Sequence, residues 1–240
     1  NTVKRKPFDM PIWSELEDAE TLYESDKIFT EKEAKAVIQF KDGSAISIGG
    51  NSLLVLQRKD NLAEIDLKKG TLFAKVKNNN SNIQIKVGDV KTQIKSDNAQ
   101  LQIKKKTDGS ADVTVLEGKA ETSLNGTTME VEKNKRFEIL TDGSITQPKA
   151  LVFQLEGPDR EEKIYLDEGT PVVFRWKPLE DAKGVEFELS KESDFKKLAK
   201  KQKISGSQLP VAGMSAGTYY WRIGSYNAAA KENEYSEERS

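Results

Sequence analysis

Ala36-Val37-Ile38-Gln39-Phe40-Lys41-Asp42-Gly43-Ser44-Ala45-Ile46-Ser47-Ile48 is the stretch that decides the fold. Ala36, Ile38 and Phe40 recur at every second position, and so do Ile46 and Ile48 beyond an Asp-Gly-Ser. Period two places one side of an extended chain in a core and the other in water. Asp-Gly supplies the positive φ that a tight hairpin needs. The same alternation continues outward through Leu54 and Leu56, Ile65 and Leu67, Leu72, Ala74 and Val76, and Ile83, Ile85 and Val87. It resumes at Leu101 and Ile103, Val113 and Val115, Met129 and Val131, and Phe137 and Ile139. Asp-Gly-Ser returns at 108–110 and 142–144, each time between two such runs. Strands of this spacing predict an all-β roll, barrel or solenoid. The turns are read as plain hairpins rather than calcium loops, which need further ordered oxygen ligands.

Ahead of this pattern, Trp13, Leu16, Ala19 and Leu22 fit one face of a short helix over Pro11 to Asp26, with an irregular leading segment as the alternative. Asn78 to Asn82 is polar and aperiodic and is predicted to be a loop. At Gln147-Pro148-Lys149 the strand spacing lapses, and a new set begins with Leu151, Phe153 and Leu155. Two domains are therefore expected, 1–147 (with 1–34 as its leading segment) and 148–240.

The 240 residues contain no cysteine and no histidine. Disulfides, Cys/His metal sites, thiolate nucleophiles and every Ser-His or Cys-His pair are excluded. No apolar run approaches the roughly 20 residues of a spanning helix. Asn1 to Pro7 lacks the apolar core of a secretory signal, which leaves a cytosolic chain or one whose signal or anchor has been removed.

The net charge is −1, but it is unevenly spread. Phe8 to Glu33 holds nine acidic residues against Lys27 and Lys32, whereas Lys68 to Lys106 holds ten lysines against Asp89 and Asp97. Lys86, Lys91, Lys95 and Lys104 are the candidate basic surface for an acidic partner; the plainer reading is lysines keeping a sheet soluble. Nucleic acid is disfavoured, because the stretch lacks arginine and exposed aromatics. Glu15, Glu17, Asp18 and Glu20 could collect a cation or meet a basic partner, although they lack ordered ligand spacing. Adjacent carboxylates such as Glu161-Glu162 and Glu237-Glu238 point to opposite faces of a strand and make poor acid/base pairs. Tyr165, Tyr226 and Tyr235 are candidates for a glycan-binding groove.

Leu22-Tyr23-Glu24-Ser25-Asp26-Lys27-Ile28-Phe29-Thr30, the hairpin 36–44 and Asn51-Ser52-Leu53-Leu54 together resemble the FecR domain of bacterial envelope proteins. The likeness continues with Glu64-Ile65-Asp66-Leu67 ahead of Gly70, Val87-Gly88-Asp89 and Val113-Thr114-Val115-Leu116-Glu117-Gly118, and runs to about residue 146. Ser25 stands where the family usually has glycine, a turn variant. The resemblance implies an all-β periplasmic domain, a β-roll or solenoid, without catalysis or cofactor. Its members serve in transmembrane signalling regulators or in envelope proteins that bind peptidoglycan.

Leu151 to Ser240 resembles a fibronectin type III or immunoglobulin-like β-sandwich. The resemblance rests on Gly157-Pro158, Pro171-Val172-Val173-Phe174-Arg175-Trp176, Phe187-Glu188-Leu189-Ser190, Asp194-Phe195 and Gly217-Thr218-Tyr219-Tyr220-Trp221-Arg222-Ile223. Such a domain would continue past Tyr235-Ser236 into a full last strand.

The expected function is a non-catalytic scaffold or binding protein of the periplasm or outer envelope of a Gram-negative-type bacterium. Its partner would be an envelope protein or peptidoglycan, with membrane association only through an N-terminal anchor. The alternative is the ectodomain of a FecR-type signalling protein that regulates a sigma factor. A carboxylate-based glycosidase is the one chemistry that needs neither histidine nor cysteine, and it requires two carboxylates facing each other in a cleft.

Overall fold

The alternation becomes strands throughout: the described residues form 22 β-strands and no helix. The computed structural model describes residues 2–59, 61–78, 82–151, 153–160, 162–167, 169–178, 185–192, 195–227, 232–236 and 239. The chain divides into two units, Asn1–Ala150 and Leu151–Ser240.

The first unit holds β1 (Val3–Lys6), β2 (Ser14–Glu15), β3 (Lys27–Thr30), β4 (Ala36–Gln39), β5 (Ala45–Ile48), β6 (Leu53–Lys59), β7 (Leu62–Val76) and β8 (Ile83–Val87). It continues with β9 (Val90–Ile94), β10 (Ala99–Lys105), β11 (Ala111–Glu117), β12 (Lys119–Leu124), β13 (Thr127–Glu132), β14 (Lys135–Ile139) and β15 (Lys149–Ala150). One sheet runs β2-β1-β3-β6-β7-β8-β9-β12-β13 and the other β4-β5-β7-β10-β11-β14-β15. The long strand β7 belongs to both. Its first half pairs with β6 and, in parallel, with β8; its second half pairs with β5 and β10.

The crossing falls at Gly70, whose φ of +91° suits glycine. A second crossing, from β11 to β12, falls at Gly118 with φ +75°. Between the sheets lies one core, to which Ile28, Leu54, Ile65, Leu67 and Ile85 contribute from the first sheet and Ile46, Ile48, Leu72, Val113 and Phe137 from the second. Thr92 and Thr122 satisfy each other inside it, their hydroxyls 3.2 Å apart.

The three Asp-Gly-Ser turns share one geometry. In each, a glycine amide donates three residues back (Gly43 to the Phe40 carbonyl at 2.9 Å), and the residue before the loop donates to the serine carbonyl (Phe40 to Ser44 at 2.9 Å). Positive φ is needed at the glycine alone: +81°, +95° and +83°. These are hairpins with three-residue loops, in which the aspartate caps the serine. Asp108 Oδ1 accepts from both the amide (2.9 Å) and the hydroxyl (2.7 Å) of Ser110.

Of the two readings of Pro11 to Asp26, the short helix is absent and an irregular segment with a two-residue strand forms instead. Val3–Lys6 pairs with Lys27–Thr30, and Ser14–Glu15 folds back on it. Leu16 and Leu22 still reach the core, and Trp13 meets the Phe29 ring edge-on at 6.3 Å. Ala19 sits at φ +62°, in a left-handed turn. Tertiary burial overrides the weak helical period here. The expected loop at Asn78 to Asn82 lies partly outside the described residues. Lys149 and Ala150 pair with β14, so strand pairing persists past Pro148.

The second unit comprises β16 (Phe153–Gly157), β17 (Val172–Pro178), β18 (Val185–Ser190), β19 (Leu198–Ile204), β20 (Gln208–Val211), β21 (Tyr220–Asn227) and β22 (Glu232–Tyr235). They form sheets β16-β17-β20 and β19-β18-β21-β22. The shared core includes Phe174, Trp176, Phe187, Trp221 and Ile223. Phe174 meets Phe187 at 4.9 Å and Trp221 at 5.1 Å, both edge-on, the arrangement that ring quadrupoles favour.

Candidate binding surfaces

On β7, Ile65 and Leu67 point inward, so alternation puts Glu64 and Asp66 on the outer face of the first sheet. Strand pairing sets Asp66 opposite Lys86, Lys86 opposite Lys91, and Glu64 opposite Gln84. Asp66 Oδ2 receives Lys68 at 2.7 Å and lies 3.9 Å from Lys86. Glu64 Oε2 accepts from Gln84 at 2.7 Å and lies 3.9 Å from Lys91. Lys95 reaches Glu121 at 3.3 Å.

The expected basic surface is corrected in two ways. Lys86, Lys91 and Lys95 share the first sheet, but Lys104 is on β10 in the other sheet, opposite Thr71 and Asp112. The three that share a sheet each lie beside a carboxylate contributed from outside the lysine-rich stretch. A window over 68–106 cannot register Glu64, Asp66 and Glu121, which only pairing brings in.

A cluster the sequence reading missed lies on the second sheet. Lys106 Nζ stands 3.0 Å from Asp112 and 2.9 Å from Glu138, two residues directly opposite each other on β11 and β14. Burial pushes the Asp112 carboxyl up, whereas the hydrogen bond from Lys106 holds Glu138 below the ordinary carboxylate range. The pair lies on a sheet face and shares one lysine, unlike two carboxylates facing across a cleft. Of the adjacent pairs, Glu161, Glu237 and Glu238 lie outside the described residues, and Glu162 accepts the Asp159 amide at 2.6 Å.

The first unit also has a groove of about 1510 Å³. It arises because the first sheet extends four strands beyond β7 on one side (β6, β3, β1, β2), and the second only two (β5, β4). The segment Leu16–Glu24 forms one wall and Lys35–Asp42 the other; Val3, Ile28, Leu56, Ala63, Ile65 and Ile83 line it between them. Glu17, Asp18, Glu20 and Glu24 stand at one wall, and Lys35, Lys41 and Arg58 also line the groove. Glu20 pairs with Arg5 at 3.2 Å. Glu17, Asp18 and Glu24 have no cationic partner among the described residues. Glu15 lies outside this lining, and no group of three or more acidic side chains is placed to hold a metal among the described residues. Ser25, at φ +67°, adopts the left-handed turn that glycine would otherwise supply.

In the second unit Glu188, 2% exposed, accepts from Arg222 Nε at 2.8 Å and from Lys201 at 3.0 Å. The Arg222 guanidinium lies over the rings of Tyr235 (3.8 Å) and Phe195 (4.2 Å). Tyr235 also donates to Glu188 at 3.2 Å, so it is committed to this network rather than to a glycan groove. Tyr165 is 90% exposed, and the Tyr226 side chain and Asp194 lie outside the described residues.

Two crystal structures of a protein assigned as an anti-sigma factor from Parabacteroides distasonis are similar in fold. They share 14% and 15% identity, with TM-scores of 0.44 and 0.43, over 52% of this chain. The match covers 59% of the length of those proteins. No curated protein matches the chain. Residues 26–121 match the family described as FecR protein. Across most of its first unit this chain is thus similar to FecR proteins.

Proposed function

We propose that the chain is the extracytoplasmic, non-catalytic part of a FecR-type transmembrane signalling regulator, acting on a sigma factor held on the far side of the membrane. The observation that carries this reading is the family match over residues 26–121, and it favours signalling over the envelope scaffold expected first. The second unit would serve as an immunoglobulin-like or fibronectin type III spacer, since its three- and four-stranded sheets share one aromatic core. Both units work through surfaces: Glu64, Asp66, Glu121 and Glu188 are engaged by neighbouring basic or amide side chains.

Deleting the segment encoding residues 26–121 in the native bacterium, followed by transcript sequencing, tests the proposal. A coherent shift in one sigma-dependent gene set is expected. An unchanged transcript profile, with the purified chain retained on peptidoglycan sacculi, would return the scaffold reading to first place.

A further inference from the structure

Among the described residues, β4 is the last strand of its sheet and pairs only with β5. In that hairpin Phe40 donates to Ser44, so the bonded pairs continue at Ile38 with Ile46 and at Ala36 with Ile48. The peptide groups of Val37 and Gln39 therefore point away from β5, toward the side where the sheet stops. Val37 is 52% exposed. Natural sheet edges are commonly blunted by a proline, a bulge, short length or flanking lysines; β4 is four residues long with Lys35 and Lys41 on either side, and it contains no proline or bulge. Beside it, the longer first sheet leaves Leu56 half-buried, and Leu16 and Leu22, also half-buried, lean in from the opposite wall. The second sheet is short of a strand where the first still offers apolar surface to cover.

We infer that an extended segment of another protein, alternating apolar residues with lysine or arginine, docks in this groove as an added strand on β4. The main-chain groups of Val37 and Gln39 would bond it, its apolar side chains would cover the half-buried Leu56, Leu16 and Leu22, and its cations would face Glu17, Asp18 and Glu24. Strand addition to an open edge gives affinity through main-chain bonds and specificity through alternate side chains. The acidic wall sets the sign of the partner's charge. This docking does not depend on the signalling role.

The test uses the whole chain and a nine-residue peptide of alternating lysine and valine, titrated by calorimetry at low salt. Saturable binding is expected, with the amides of Val37 and Gln39 slowed in hydrogen exchange. A peptide with glutamate for lysine, and one N-methylated at every lysine and valine amide, which cannot donate to β4 in either strand direction, should each bind at least about tenfold more weakly. Reversing the wall (Glu17→Lys, Asp18→Lys and Glu24→Lys together) should also weaken binding about tenfold. So should Val37→Pro, which removes an outward amide and leaves the β5 ladder intact. Gln39→Pro serves if Val37→Pro does not fold. Equal binding of all three peptides, protection that spares β4, or no binding at all would overturn the inference. It also falls if the chain dimerises and Val37→Pro returns it to a monomer, because the occupant is then a second copy.

Discussion

Gly70 is the residue on which the first unit turns. A side chain there would run into Ser52, whose Cα would lie 2.5 Å from the new carbon, and the φ of +91° disfavours any L-residue. Gly70→Ala is expected to lower stability by at least about 2 kcal/mol, read from urea unfolding. Glu188 plays a different part. Burial raises its pKa, but hydrogen bonds from Lys201 and Arg222 outweigh that and hold it below the ordinary range. A carboxylate lowered on folding contributes stability that is full above its unfolded pKa of about 4.3 and is lost as pH falls through the folded value. Melting temperature should therefore drop on acidification below about pH 5, and Glu188→Gln should flatten that drop. Glu188→Ala leaves the half-buried Arg222 without its acceptor and is expected to cost about 2–3 kcal/mol at pH 7 by urea unfolding.

At the scale of elements, period two was enough for most strands of the first unit from Ala36 to Ile139, because each buries one face whatever its neighbour; it passed over Val90–Ile94 and Lys119–Leu124, whose inward positions include Thr92 and Thr122. It failed for Val3–Lys6, a run of mostly charged residues that is a strand only because Lys27–Thr30 accepts it. It misled at Pro11–Asp26, where three-residue spacing of Trp13, Leu16, Ala19 and Leu22 serves a loop wrapped on the core. In the second unit Phe174 and Trp176 were legible as one face, and so were Trp221 and Ile223, since each is a large apolar side chain two residues from the next. Trp221 is 2% exposed and packs against both Phe174 and Phe187. Trp221→Ala is expected to cost about 3–5 kcal/mol in chemical unfolding.

For the molecule as a whole, the two cores are separate sets of residues, Ile28 to Ile139 and Phe153 to Ile223. A fragment of residues 1–150 contains its own core, so it is expected to give a β-type circular dichroism spectrum and a cooperative urea transition. A featureless spectrum would show that the first unit needs the second. The all-β class, the hairpin turns, the two sets of strands and the lack of histidine or cysteine chemistry were determined by the sequence alone, since alternation, turn chemistry and composition are local properties. Which charges meet was not. Glu64 beside Lys91, Glu138 on Lys106, and Glu188 under Arg222 join residues more than 25 positions apart. The tertiary structure alone decided these contacts and the groove beside β4, because strand pairing and unequal sheet widths are set by the global register.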